Sequence, residues 1–464
     1  MKSKKKKKNL TIISVPFVRL KRILLFPDFI NSLSEYSDIL IVAPFENKNI
    51  SYKKNNSIFY YKLDNKLSKF QSLIYNFTES LRVIGYFRRE KNNGLNFWYK
   101  ELFLNISTDG EASKKSISKR LYLFMLSLLG SIENLWIFFD RLFGKFIFQE
   151  PALFEISKNY INVSIIQSAN WGFDDRKLSW LSMKQKWKKL LIPYTTDQLM
   201  CTGYLISNFD YICVQGPKEF FYSRSLHKIP PNKIIKFGSL LYRHIDIAIT
   251  KSTRTTKKIN TILWAGVSKT YFPLKSQIRI VEHLCSQIEN NNLANTQLIL
   301  RPFLLSKLDL QSFIKKFENN SYVKFQLPEL TNYALQSSGS KNDFLNEFKQ
   351  YIKNMSEIDL LIMPGITTMV LEASYLGTSS IFVFDDPTKN LEIRNYNSFF
   401  KKNGNLVDFN EFKNVKCVHK IEELSQTINN IFKSKNKLRK KEIVQDWDYP
   451  HKNYKEKLKN LINN

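Results

Sequence analysis

The sequence predicts an α/β protein of two doubly wound domains around a cleft, with a helical, aromatic-rich insertion in its first half. Three observations carry this. Residues 358–385 run apolar strand, Pro364-Gly365 turn, short helix and second apolar strand in quick succession, which is half of a doubly wound sheet. Buried-type strands also recur in the first half, at 10–15, 39–42 and 163–167, and residues 57–63 alternate like another strand. Finally, 464 residues exceed the size of a single core, and the basic stretch 244–260, without apolar period, reads as the linker between two.

Taken in order, Lys2 and Lys4 to Lys8 precede the first strand. With residues 10–18 they imitate a signal peptide. The apolar part is short, contains Pro16, runs into Arg19, Lys21 and Arg22, and lacks a small-residue cleavage site, so a basic tail before a strand is the reading. A helix is expected around 28–37. From residue 87 the pattern changes to polar, basic stretches around an aromatic helical region at 117–148. Residues 121–132 carry no charge but fall short of the about 20 needed to span a bilayer. Such helices either bury against one another or dock on a membrane surface. The strand at 163–167 leads into the polar and aromatic loop 168–175, then a basic helix at 178–189 and a polar cluster at 193–198. Strand–turn units follow at 209–216 and 233–238.

In the second half, strands are expected at 261–265, 297–301 and 322–327, and helices at 277–288 and 344–355. The opening unit comes next, and Gly377 is placed to stop its helix. Further helices are expected at 421–433 and near the end. The domain reading is therefore 1–243, with the insertion at about 90–150, then 261–440, and a final segment 441–464 whose helix returns to the first domain.

Lys plus Arg outnumber Asp plus Glu by 71 to 41, a formal charge of +30, which favours anionic membranes, nucleic acid or phosphorylated substrates. The 36 Phe and 22 Tyr argue against a plain nucleic-acid binder, and there is no zinc-finger or RNP-like signature. Cys201, Cys213, Cys285 and Cys417 are scattered without a CxxC pair, so neither zinc site nor disulfide framework is expected. A reduced, cytoplasmic chain is the simplest reading.

The second half resembles the donor-binding domain of GT-B glycosyltransferases, which would make both halves Rossmann-like. The resemblance rests on Trp264-Ala-Gly266, Leu298-Ile-Leu-Arg-Pro302, Asp359-Leu-Leu-Ile362, and Pro364-Gly-Ile-Thr-Thr-Met-Val-Leu-Glu-Ala373 with Gly377. The same order is similar to CDP-glycerol-type polymer transferases and to non-hydrolysing sugar-nucleotide epimerases. It covers roughly residues 163–387. Phe303 stands where many relatives have His after Arg-Pro, and no histidine precedes His227, so an inverting base in the first domain should be Asp or Glu.

The resemblance implies a nucleotide-activated donor as substrate, no cofactor and no metal, with helix dipole and cationic side chains stabilising the leaving group. Backbone N–H groups at Gly365, Thr367 and Thr368 would cradle phosphate. Glu372 would accept the ribose hydroxyls; a capping box does not explain it, because three residues after Thr367 and Thr368 stand Val370 and Leu371. Arg301, ending a strand, would hold phosphate oxygens bidentately, or else make a surface ion pair. Gly266 and Lys269 belong to the turn after the first strand of this half. Asp174 is the first candidate base, with Asp175 beside it and Asp197 in the next polar loop as base or acceptor ligand. Trp171 could stack on a sugar. The function implied is transfer of a sugar or alditol-phosphate to a lipid-linked or glycan acceptor in bacterial surface polysaccharide synthesis, in the cytoplasm and peripheral to the inner membrane. The alternatives are a nucleotide-sugar epimerase and a non-catalytic binder of anionic lipid or nucleic acid.

Overall fold

A computed structural model describes residues 7–17, 20–44, 58–63, 67–90, 117–168, 172–195, 198–249, 259–267, 272–303, 307–327, 344–365, 369–385, 414–434, 448–449 and 453–463. β1 (Lys7–Ser14) leads through α1 (Lys21–Leu24) and α2 (Pro27–Ser34) to β2 (Asp38–Ala43), and β3 (Ile58–Lys62) follows. Next come the long helices α3 (Lys69–Arg89), α4 (Ile117–Gly130) and α5 (Glu133–Ile147), and the short α6 (Pro151–Ser157). The domain continues with β4 (Tyr160–Gln167), α7 (Phe173–Gln185), β5 (Lys188–Leu191), α8 (Gln198–Cys201), β6 (Tyr211–Val214), α9 (Pro217–Ser225), β7 (Ile234–Lys236) and α10 (Leu240–Ile249).

These strands form a seven-stranded parallel sheet in the order β3-β2-β1-β4-β5-β6-β7. Ile39 to Val42 are buried on both faces, as a helix-covered parallel sheet requires.

The second domain runs β8 (Asn260–Ala265), α11 (Leu274–Glu289), β9 (Thr296–Arg301), α12 (Lys307–Phe317), β10 (Val323–Phe325), α13 (Phe344–Glu357), β11 (Leu360–Met363), α14 (Met369–Tyr375), β12 (Ser379–Val383), β13 (Val415–Val418) and α15 (Leu424–Ser434). Its six-stranded parallel sheet has the order β10-β9-β8-β11-β12-β13. Two parallel sheets, each wound by helices, make the two-domain α/β architecture of the GT-B type. In each sheet the strand order reverses once, between β1 and β4 and between β8 and β11. A doubly wound sheet binds ligands at the carboxyl ends of the strands beside such a reversal.

The last helix, α16 (Tyr454–Asn463), returns to the first domain. Tyr454, Leu458, Leu461 and Ile462 pack in one cluster with Ile13, Ile30 and Leu33. Lys457 Nζ donates to the Lys236 carbonyl at 2.7 Å.

Several expectations need correcting. The linker does not begin at residue 244: α10 continues to Ile249, and its His244 and Ile245 are fully buried. Phe26 stacks on His244 at 4.0 Å and meets Phe348 edge-on, while Tyr242 stacks on Tyr375 at 4.5 Å. Tyr375 also donates to Asp246 Oδ2 at 2.5 Å, so α10 is the joint between the domains. The basic helix reaches Gln185 rather than 189, because Lys186 takes a left-handed conformation and Lys188 and Lys189 enter β5. α3, α12 and β13 are among the elements with no counterpart in the sequence expectations. α3 crosses α4 so closely that a Cβ on Gly85 would lie 2.0 Å from the Gly130 carbonyl carbon.

No described helix is long and apolar enough to cross a membrane by itself; α4 and α5 pass that test only as a pair, bent by 96°.

Candidate active site

In the second domain the expected donor residues gather at the carboxyl edge of the sheet. Gly266 follows β8, Arg301 ends β9, Gly365 follows β11, and Glu372 lies in α14. Gly266 has a packing reason of its own: its N–H donates to the Arg301 carbonyl at 2.9 Å, and a Cβ there would meet Phe303 N at 2.9 Å. Gly377, at φ 73°, stops α14 as the sequence predicts. Lys269, Thr367 and Thr368 lie outside the described residues.

Arg301 and Glu372 are joined through a residue that the sequence reading did not single out. Tyr351, on α13, donates its hydroxyl to Glu372 Oε2, and the Arg301 guanidinium carbon lies 5.0 Å from the Tyr351 ring centroid. Among the described residues no ion pair involves Arg301. Glu372 is only 5% exposed. A buried carboxylate held by a phenol, beside a cation spread on the same ring, is a preformed polar corner able to take hydroxyl and phosphate groups.

In the first domain the candidate base sits at the other reversal. Gly172, at φ 96°, precedes α7, and a side chain there would be strained. Asp174 and Asp175 fill the first turn of α7, where the helix dipole favours negative charge. Asp175 is fully buried and accepts from Ser14 Oγ at the end of β1. Gln167, at the end of β4, donates to the Asp175 carbonyl at 2.8 Å and accepts from Ser179 Oγ at 2.8 Å. This ties the turn to both strands that flank the reversal. Asp174 is 7% exposed, so of the two it is the one nearer solvent. Asp197 and Trp171 lie outside the described residues. His227, the first histidine, is not at this edge: it is buried against Tyr86 and the Leu199 carbonyl. Burial, together with Arg89 and Arg82, lowers its pKa to about 4 despite that carbonyl contact.

A buried ionic cluster fixes the turn from behind. Arg176 donates to Glu79 Oε2 at 3.0 Å and Thr78 Oγ1 at 2.9 Å on α3, and pairs with Asp140 on α5. Arg82 holds Glu79 from the other side at 2.6 Å. Burial alone would raise the Glu79 pKa, but the two guanidinium groups hold it at about 2. Lys177 pairs with Glu150 at 2.5 Å. The insertion helices are therefore built into the candidate site's support. Ser14 and Tyr351 carried little sequence signal, one being a strand-end serine and the other a tyrosine in a polar helix.

No family model matches the chain, and no curated protein does. Among solved structures the chain is similar to the Methanocaldococcus jannaschii UDP-GlcNAc 2-epimerase, at 11% identity over 98% of this chain and 99% of that one, with a TM-score of 0.48. It is similar to the wall teichoic acid polymerase TagF at 11% identity over 97% and 87% of the two chains, TM-score 0.46. It is also similar to Acinetobacter baumannii MurG at 9% identity over 98% and 99%, TM-score 0.39.

Proposed function

We propose that the chain is a metal-independent glycosyltransferase of the GT-B type. It moves a sugar or alditol-phosphate from a nucleotide-activated donor to a lipid-linked or glycan acceptor of bacterial surface polysaccharide. The observation that carries this is the Arg301–Tyr351–Glu372 corner at the β8/β11 reversal. Glu372 receives the ribose hydroxyls, Arg301 the diphosphate, and the leaving nucleotide departs onto this cationic edge. Asp174 takes the proton of the acceptor hydroxyl, and Asp175 with Ser14 positions its turn.

The acceptor side works at the cytoplasmic face of an anionic membrane. Supporting this, Leu121, Met125, Leu129, Ile132, Phe138 and Phe146 on and between α4 and α5 are exposed large apolar residues. Arg88 lies over the Phe124 ring at 5.1 Å and Lys145 over Phe146 at 4.8 Å, placing cations beside that surface. The overall charge of +30 has the matching sign.

Binding of UDP-, CMP-, GDP- and CDP-linked sugars to the purified protein tests the donor site. One donor class should bind, and Glu372→Ala should lose it; no binding to any of them, or equal binding by the variant, sinks the assignment. Conversion of a bound donor to its epimer without an acceptor would identify an epimerase instead. Flotation with anionic liposomes tests the membrane half, and protein that stays at the bottom of the gradient removes it.

A further inference from the structure

The donor corner is seated on the other domain. α14 carries Glu372 but has only 7 residues, too few to hold an orientation by its own hydrogen bonds. Its last residue, Tyr375, crosses to α10 of the first domain. The ring stacks on Tyr242 at 4.5 Å with 12° between the planes, and the hydroxyl donates to Asp246 Oδ2 at 2.5 Å. Val370, Leu371 and Ala373 of α14 share one buried cluster with Leu241, Tyr242 and Ile245 of α10.

α13 repeats the arrangement. Its Tyr351 holds Glu372, and three residues earlier Phe348 meets Phe26 of the first domain edge-on at 5.9 Å. Residues three apart lie on the same side of a helix, so Glu372 shares a side with Tyr375, and Tyr351 with Phe348. Both partners of the Glu372–Tyr351 bond therefore sit one turn from a contact with the first domain. The charge of Glu372 itself reaches α10: after burial and Asp448, it helps to raise the Tyr242 pKa well above its ordinary range. Stacked rings set a spacing but tolerate sliding, whereas a hydrogen bond to a carboxylate is directional. The Tyr375–Asp246 bond is thus what fixes the rotation of α14 about its axis.

We infer that Tyr375 and Asp246 are positioning residues for the donor: their hydrogen bond across the domain joint aims Glu372 at the ribose hydroxyls. This role rests on the donor reading of Glu372 and makes the first domain part of the donor site.

The test is calorimetry on the full chain with UDP, CDP and GDP, and with the 2′,3′-dideoxy form of whichever binds best. The unaltered protein should prefer the ribonucleotide at least about tenfold. Tyr375→Phe keeps the stack and removes only the hydroxyl; Asp246→Ala removes the acceptor. Each should weaken the ribonucleotide about three- to tenfold and leave the dideoxy form unchanged, so that the preference collapses. The two together should do no more than either alone, because they delete the same bond. Arg243→Met is the control on the same helix: it breaks an ion pair with Asp28 at 2.8 Å, and should lower the melting temperature without changing the preference. A purely structural role would weaken both nucleotides alike. Equal losses for the two, or an unchanged preference in both variants, overturns the positioning role and leaves the donor site standing. No binding of any ribonucleotide by the unaltered protein overturns the donor reading, and the positioning role with it.

Discussion

The two domains hold their candidate chemistry in opposite ways. In the second domain the polar groups are spread over the ends of three strands and two helices, and what links Arg301, Tyr351 and Glu372 is one ring and one hydroxyl. In the first, two adjacent carboxylates sit in a single helical turn, and a four-charge cluster of Arg82, Glu79, Arg176 and Asp140 is buried behind them. The difference teaches that one site is assembled by sheet topology and the other by its supporting helices. A residue that fails in the second domain should cost binding; one that fails behind Asp174 should cost the fold.

The sharpest way to break this contrast is a matched pair of substitutions. Arg176→Met leaves Asp140 without its ion-pair partner and Glu79 with Arg82 alone, and should destabilise the protein by about 3 kcal/mol. Arg301→Met, at a strand end without an ion pair among the described residues, should stay within about 1 kcal/mol by chemical denaturation. Equal losses would erase the distinction. Donor affinity should show the reverse order: Glu372→Gln should lower it about tenfold or more in calorimetry, and Tyr351→Phe by less, since the phenol only orients the carboxylate.

Acid should find the first domain first. Glu79 has its folded pKa held at about 2, below the ordinary 4.5, so its contribution is full above 4.5 and is lost as pH falls towards 2. His227, held at about 4 against 6.5, binds its proton more readily when unfolded, so its contribution is already declining as pH falls from 6.5 towards 4. Hydrogen exchange in α3 and α9 should therefore rise on acidification before exchange in β8 and β11 does, and Glu79→Gln should flatten the lower part of that slope. The smallest effect on stability is expected at the exposed apolar face. Ile132→Ser should change it by no more than about 0.5 kcal/mol. Flotation with liposomes should nonetheless weaken, and a large loss of stability would mean that this face packs against the protein itself.

Much of the second domain was legible because its strands are continuous apolar runs bounded by Gly and Pro, as at Leu360–Met363, and because polar residues cluster where those runs stop. Arg301 and Glu372 stand out as candidates at such strand ends. Tyr351 does not, since α13 is read only for its amphipathic period and its tyrosine meets Glu372 through tertiary packing. In the first domain Asp174 was legible as a loop carboxylate after a strand. Its anchors, Ser14 and Arg176, were not, because pairs 161 and 97 residues apart leave no local pattern. The end of the basic helix was misjudged for a similar reason: a lysine in the left-handed position looks in sequence like any other helical lysine.

The return of α16 has a consequence for how the chain is made. Tyr454, Leu458, Leu461 and Ile462 cover the same face of the sheet as Ile13, Ile30 and Leu33. During synthesis the first domain emerges early, but that face stays uncovered until the whole second domain has left the ribosome. The nascent first domain thus carries an open apolar patch until α16 has been made, and α16 closes it.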